Sequence, residues 1–150
     1  FKIISTPGHT LYHIIYFDNY NKILFCGDTL FRLGCGRVFE GTLEQMFSSL
    51  QKINDLDDNL TVYCGHEYTL NNLNFLENIL NKKELYSNIR QKIEDNLKLR
   101  GRTVPFSLAE EKSYNVFLNQ ESKIGQLAKE ELKLENFTLF KYLREKKDNF

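Results

Sequence analysis

The sequence predicts an α+β fold in which strands and helices are segregated along the chain, and three observations carry this. Short apolar, β-branched runs closed by Gly or turn residues occupy the first part, at Phe1–Ser5, Leu11–Phe17, Lys22–Cys26 and Leu60–Cys64. The first three of these are complete by Cys26 and are joined by tight turns, which leaves no length for crossover helices and favours an antiparallel or mixed sheet. From Tyr68 onward no convincing strand remains, and apolar residues recur at helical spacing. The expected division is therefore residues 1–68, bearing the strands, and residues 69–150, all helical.

Thr6-Pro7-Gly8 stops the first run. The second is nearly continuous in apolar and aromatic residues around His13, which predicts burial on both faces. Asp18-Asn19-Tyr20-Asn21 reads as the turn into the third. A glycine-rich loop, Gly34 to Gly41, follows, and Thr42-Leu43-Glu44-Gln45 offers a capping box. Leu43, Met46, Phe47, Leu50 and Ile53 then form the apolar stripe of a helix covering one sheet face. In the second half, Leu70, Leu73, Leu76, Ile79 and Leu80 mark one helix, and Ile89, Ile93 and Leu97 a second. Pro105 interrupts, Ser107-Leu108-Ala109-Glu110 suggests another capping box, and a helix is expected over Leu108–Leu118. A final helix carries Phe137, Phe140 and Leu143 and ends in basic residues, which suit its dipole.

Composition narrows the function. Twenty basic and twenty acidic residues cancel, so the concentrated positive charge of a nucleic-acid binder is missing and no nucleic-acid partner is expected. No apolar run reaches the length of a membrane span, and no membrane partner is expected. Three cysteines, Cys26, Cys35 and Cys64, are odd in number and follow no CxxC spacing. That argues against a disulfide framework and for a reducing, cytoplasmic setting, with an organellar form left open. The chain opens without Met and already within a strand-like run, as the interior of a longer protein would.

Chemistry concentrates at three strand ends. Thr6-Pro7-Gly8-His9, Cys26-Gly27-Asp28 and Tyr63-Cys64-Gly65-His66 each pair a Gly with one potential ligand. Strand ends on one sheet edge converge and are rigid, so His9, Asp28 and His66 are read as metal ligands with nitrogen and oxygen donors. Cys26 and Cys64 are read as small core residues, although residues i and i+2 of a strand share a face and a sulfur ligand stays open. His13 is assigned to packing or to hydrogen bonding behind the ligands. Arg144 and Lys147, three apart on the last helix, share a face and can meet one carboxylate; on the residues alone, a solvated basic helix end is the plainer reading.

Four ordered motifs, Thr-Pro-Gly-His-Thr at 6–10, Gly-Asp-Thr-Leu-Phe at 27–31, Gly-Cys-Gly-Arg with Phe-Glu-Gly-Thr at 34–42, and Tyr-Cys-Gly-His-Glu-Tyr-Thr at 63–69, resemble the glyoxalase II family (hydroxyacylglutathione hydrolases) of the metallo-β-lactamase superfamily. Further matches run through Val104-Pro105, Leu108-Ala109-Glu110-Glu111, Tyr114-Asn115 and Arg144 with Lys147-Asp148. The resemblance implies the second half of an αββα sandwich followed by a helical substrate-binding domain. It implies two divalent metal ions, zinc first, with iron or manganese also suited, held by His9, His66 and a bridging Asp28. Metal-bound hydroxide would attack the thioester of S-(2-hydroxyacyl)glutathione, such as S-lactoylglutathione, in methylglyoxal detoxification. Arg37, Phe39, Tyr68, Arg144 and Lys147 would bind the glutathione part. Phe39 and Tyr12 depart from residues common in relatives, Tyr and Gly respectively. The family's Thr-His-x-His-x-Asp-His motif is absent and belongs upstream of Phe1, so this chain alone would lack a complete site and expose a sheet face; the full-length protein is expected to be a monomer. Other readings are a different superfamily hydrolase such as a lactonase, a sulfur dioxygenase, or a non-catalytic glutathione-binding module.

Overall fold

A computed structural model describes all residues, Phe1–Phe150. Its centre is a five-stranded mixed sheet of order β1-β2-β3-β6-β7, formed by β1 (Lys2–Ser5), β2 (Ile14–Asp18), β3 (Ile23–Gly27), β6 (Thr61–Cys64) and β7 (Phe106–Ser107). The first three strands are antiparallel, β3 and β6 are parallel, and β7 runs antiparallel to β6. A separate two-stranded hairpin, β4 (Leu30–Phe31) and β5 (Gly34–Cys35), occupies the glycine-rich segment. The turn between β2 and β3 closes on the Asp18 carboxylate, which accepts the N–H groups of Tyr20 and Asn21.

One sheet face is the core. Phe17, Leu24, Val62 and Phe106 stand in a single cross-strand row, and all four are buried. Helix α1 (Leu43–Asn54) begins at the expected capping box, in which Thr42 Oγ1 accepts from the Gln45 N–H and Gln45 Oε1 accepts from the Thr42 N–H. Met46, Leu50 and Ile53 of its stripe are fully buried, each worth about 1.5–3 kcal/mol relative to exposure. Helices α2 (Thr69–Leu80), α3 (Ser87–Arg100), α4 (Leu108–Tyr114), α5 (Lys123–Leu132) and α6 (Asn136–Asp148) follow. One cluster of apolar residues runs from Ile15 to Leu143 without a break between the two halves.

The other sheet face is bare. Ile3, Tyr16, Phe25 and Tyr63 lie side by side on it, with Ile3 63%, Tyr16 43% and Phe25 41% exposed. This corrects the expectation that β2 is buried on both faces: its apolar continuity reflects two apolar surfaces, of which this chain covers one. Leu11 and Tyr12 lie before β2, in an exposed turn.

Further corrections concern the second half. The short strand β7 pairs with β6, where none was expected; two residues are too few for periodicity to register. Helix α4 stops at Tyr114 rather than reaching Leu118. The cause is Asn115, whose side-chain amide donates to Gly34 O and whose Oδ1 accepts the Phe117 N–H, so its backbone leaves the helix. Ser107 caps α4 by accepting from the Glu110 N–H, but Glu110 turns its carboxylate to Arg32 and Lys92, leaving half a capping box. Helix α5, capped by Ser122, had no counterpart in the sequence reading.

Candidate metal and substrate site

The parallel pairing of β3 with β6 brings their C-terminal ends together, and with them Asp28 and His66. Gly65 donates its N–H to Gly27 O at 2.9 Å. A Cβ on Gly65 would stand 2.3 Å from Asp28 Oδ1, and one on Gly36 would stand 1.9 Å from the Asp28 carbonyl; glycine alone allows both approaches. His9 arrives from the loop after β1. That loop is anchored by Ser49 of α1, whose hydroxyl donates to Pro7 O at 2.7 Å, and by Glu40, which accepts the Leu11 N–H.

The three expected ligands meet. Asp28 Oδ2 lies 3.4 Å from His9 Nε2 and 3.5 Å from His66 Nε2. Both separations are long for a hydrogen bond. They match the spacing of two donors sharing a tetrahedral ion, about 3.4 Å for bonds of about 2.1 Å. The His9 Nδ1–H can donate to Arg37 O at 2.9 Å, which leaves the Nε2 lone pair directed at Asp28, the arrangement a ligating imidazole needs. The donor set thus fits a borderline or hard divalent ion. It is only part of a shell: no group of three or more His, Cys, Asp and Glu side chains in the chain, these three included, is arranged to hold a metal ion by itself.

His13 stands behind this cluster. Its Nε2 accepts the Asp28 N–H at 3.2 Å, and its Nδ1 lies 2.9 Å from Thr29 Oγ1 and 3.0 Å from Thr6 Oγ1. Burial and the neighbouring His9 hold its pKa below the usual histidine value, against a smaller raising effect of Asp28, so it acts as a neutral acceptor fixing the Asp28 backbone. Two cysteines are engaged with backbone carbonyls: Cys26 donates to Leu30 O within the core and Cys64 to His66 O, and burial pushes the Cys64 thiol up to about 11.

A cavity of about 700 Å³ opens directly from the cluster. His9, Asp28 and His66 line it together with Arg37, Phe39, Tyr68, Arg144 and Lys147, so all eight residues singled out in the sequence share one space. Tyr68 stacks on His66 with ring centroids 4.9 Å apart, and Phe39 meets His9 edge-on at 5.1 Å. Arg144 is 5% exposed, which overturns the solvated helix end as its description. It donates through Nη1 to Cys35 O and through Nη2 to Asp148, each at 2.8 Å. Lys147 bonds to Asn71 on α2, and its pKa is lowered by burial and then by Arg144 and Arg37.

The sequence reading passed over the polar joint beside His66. Glu67 accepts from Thr103 N at 2.8 Å, from Thr103 Oγ1 at 2.6 Å and from Val104 N at 3.3 Å. Burial raises its pKa, but these donors outweigh it and hold the carboxyl below its usual range. Thr103 O accepts in turn from the buried Arg32, whose own carbonyl accepts from Asn72. The joint therefore fastens the turn bearing His66 and Tyr68 to the hairpin and to α2. Its one sequence signal was the acidic residue beside His66, since its partners lie far along the chain.

Comparison with known proteins follows from this geometry. A family model described as the C-terminus of hydroxyacylglutathione hydrolase matches residues 67–150, and one described as the metallo-beta-lactamase superfamily matches residues 1–66. The chain belongs to the hydroxyacylglutathione hydrolase family. Hydroxyacylglutathione hydrolases of Erwinia tasmaniensis and Salmonella paratyphi C are 45% and 42% identical to it over the whole chain. The chain spans 60% of the length of each of these relatives. Among solved structures, ETHE1 from Myxococcus xanthus superposes with a TM-score of 0.51 at 28% identity, over 93% of this chain and 49% of that one. A metallo-beta-lactamase from Staphylococcus aureus, 21% identical, gives a TM-score of 0.51 over 96% of this chain and 38% of its own, a likeness of fold alone. Membership of this family is consistent with use of a divalent metal. No helix is long and apolar enough to cross a membrane.

Proposed function

We propose that this chain is the C-terminal portion of a metal-dependent thioester hydrolase that cleaves S-(2-hydroxyacyl)glutathione, such as S-lactoylglutathione, to glutathione and a 2-hydroxy acid, in methylglyoxal detoxification. The observation that carries this reading is the shared cavity, which is lined both by two imidazoles and a carboxylate and by Arg37, Arg144 and Lys147. Residues 1–68 contribute the metal-side wall and residues 69–150 the substrate-binding helices. His9 and His66 would each hold an ion, and Asp28, whose Oδ2 faces both imidazoles, would be shared between the two. Zinc is the first expectation, with iron and manganese suited to the same donors. When bound, such ions supply Lewis-acid polarisation and a water activated at neutral pH.

The chain's own groups perform the rest. His13 holds Asp28 through its backbone N–H, and the Arg37 carbonyl orients His9. Arg37, Arg144 and Lys147 would hold the carboxylates of the glutathione moiety, while Tyr68 and Phe39 flank the reacting end. Burial raises the Cys35 thiol pKa, so that sulfur stays protonated and unsuited to nucleophilic attack. The enzyme is read as a cytoplasmic monomer with no nucleic-acid or membrane partner.

The test is kinetic. Full-length protein carrying this sequence should hydrolyse S-lactoylglutathione, lose activity to a chelator and regain it with zinc. Asp28→Ala should abolish turnover; full activity in that variant would remove the central claim.

A further inference from the structure

The cationic end of the cavity is held by a carboxylate that the reading above does not use. Asp148, in the last turn of α6, places Oδ1 2.8 Å from Arg144 Nη2 and 3.4 Å from Arg37 Nε. Its main-chain carbonyl also accepts from Arg37 Nη2 at 3.3 Å. Arg37 comes from the loop after β5 and Arg144 from α6, so one residue ties together two guanidinium groups from distant parts of the sequence. We propose that Asp148 is a positioning residue for the substrate pocket, bridging Arg37 to Arg144 so that both stand ready for a ligand carboxylate. This rests on the glutathione reading of the cavity.

Donor arithmetic shows why the bridge prepares the pocket without filling it. A guanidinium carries five N–H groups. Asp148 and Cys35 O engage Nη2 and Nη1 of Arg144, while its Nε is buried without a partner. Arg37 meets Asp148 through Nε and Nη2, and Nη1 makes neither contact. Donors therefore remain on both groups after the bridge has formed. Arg37 is more than half exposed, and without the bridge its long side chain would have to be ordered by the ligand at the ligand's expense.

Charge points the same way. Asp148 is the carboxylate paired with Arg37 and Arg144, and Lys147 adds a third cation to the same cavity, which leaves an excess of positive charge among these four groups for an anionic ligand. Lys147 is driven toward its neutral form by burial and by the two arginines, and Asp148 opposes this. Removing the carboxylate would thus loosen Arg37 and make Lys147 harder to keep charged.

The experiment compares full-length wild type with Asp148→Asn, Asp148→Glu, Arg37→Ala and the Asp148→Asn/Arg37→Ala double variant. Steady-state kinetics on S-lactoylglutathione are paired with calorimetric titration of glutathione. Asp148→Asn should raise KM and the glutathione Kd about threefold to fivefold, the scale of a half-exposed ion pair, with kcat nearly unchanged. Asp148→Glu should recover most of that loss. In the Arg37→Ala background Asp148→Asn should cost less than it does in wild type, because only its contact to Arg144 is left to lose. An unchanged or lower KM and Kd in Asp148→Asn, or additive losses in the double variant, would overturn the proposal. Wild type that binds glutathione but leaves the thioester intact would sink the hydrolase reading while the Kd series still decides Asp148; wild type that does neither overturns both.

Discussion

Glu111 is a carboxylate held inside the core. It is buried, and its Oε2 accepts from the Leu33 N–H and the Asn115 amide, each at 2.8 Å. Burial still dominates and pushes its pKa from 4.5 up to about 7. Between these values the unfolded chain has lost a proton that the folded chain keeps, so the stabilisation present below about pH 4.5 is lost as pH rises through about 7. Denaturant unfolding of the full-length protein should show the Glu111 contribution to stability falling across this window by roughly 3 kcal/mol. Glu111→Gln keeps an acceptor for both donors and should flatten that slope; an unchanged slope would remove the assignment. Gly65 offers a second test at this scale. Gly65→Ala puts a methyl group against the Asp28 carboxylate and should cut turnover at least about a hundredfold, the scale of losing one preorganised group, with circular dichroism unchanged.

Among the elements, the polar joint and α6 offer the clearest tests of the proposed function. Thr103 gives Glu67 a hydroxyl and an N–H and gives Arg32 a carbonyl. Thr103→Val removes only the hydroxyl and leaves the buried Thr69 hydroxyl and one Glu67 oxygen short of a bond, a loss of about 1 kcal/mol. Thr103→Ser should restore both stability and activity, a rescue that a purely apolar packing role for the side chain would not give. In α6, Arg144→Ala should raise KM more than it lowers kcat. Because Arg144 also donates to Cys35 O within the fold, the same variant should lower the unfolding midpoint, which a solvated helix end would not do. The capping box at Thr42 is the simpler case: Thr42→Ala should cost about 1 kcal/mol in denaturant unfolding.

At the scale of the whole molecule, the bare row of Ile3, Tyr16, Phe25 and Tyr63 is the dominant feature. An apolar sheet face of this kind is a surface for association. The chain of 150 residues, prepared alone, should self-associate and bind a hydrophobic dye such as ANS. Replacing Tyr16 and Phe25 with Thr should reduce both, as read by sedimentation and dye fluorescence. A dispersed monomer that binds no dye would show that this face is not sticky.

How much of this was legible in the sequence depended on the range of the signal. The strand ends, the Thr42 cap, the α1 stripe and the eight cavity residues were readable because each rests on a local cue: a Gly beside a ligand, a capping box, a helical period, or an ordered motif. Helix α5, the two-residue strand β7 and the stop of α4 at Asn115 were not, because each is decided by partners distant in the chain. Family resemblance supplied the expected roles of Arg37, Phe39, Tyr68, Arg144 and Lys147, of which the residues alone left Arg144 and Lys147 as a solvated helix end.

By itself, then, the sequence singled out the candidate residues for the chemistry and an α+β division with the strands mainly first, since residue type and local period are written directly in the chain. Only the tertiary structure decided that His9, Asp28 and His66 face one another at 3.4 and 3.5 Å, that Arg144 is buried rather than solvated, and that Asp148 ties it to Arg37. Those facts depend on the parallel pairing of β3 with β6 and on α6 packing back over the glycine hairpin. Such contacts join residues far apart in the chain, and local propensity carries no record of them.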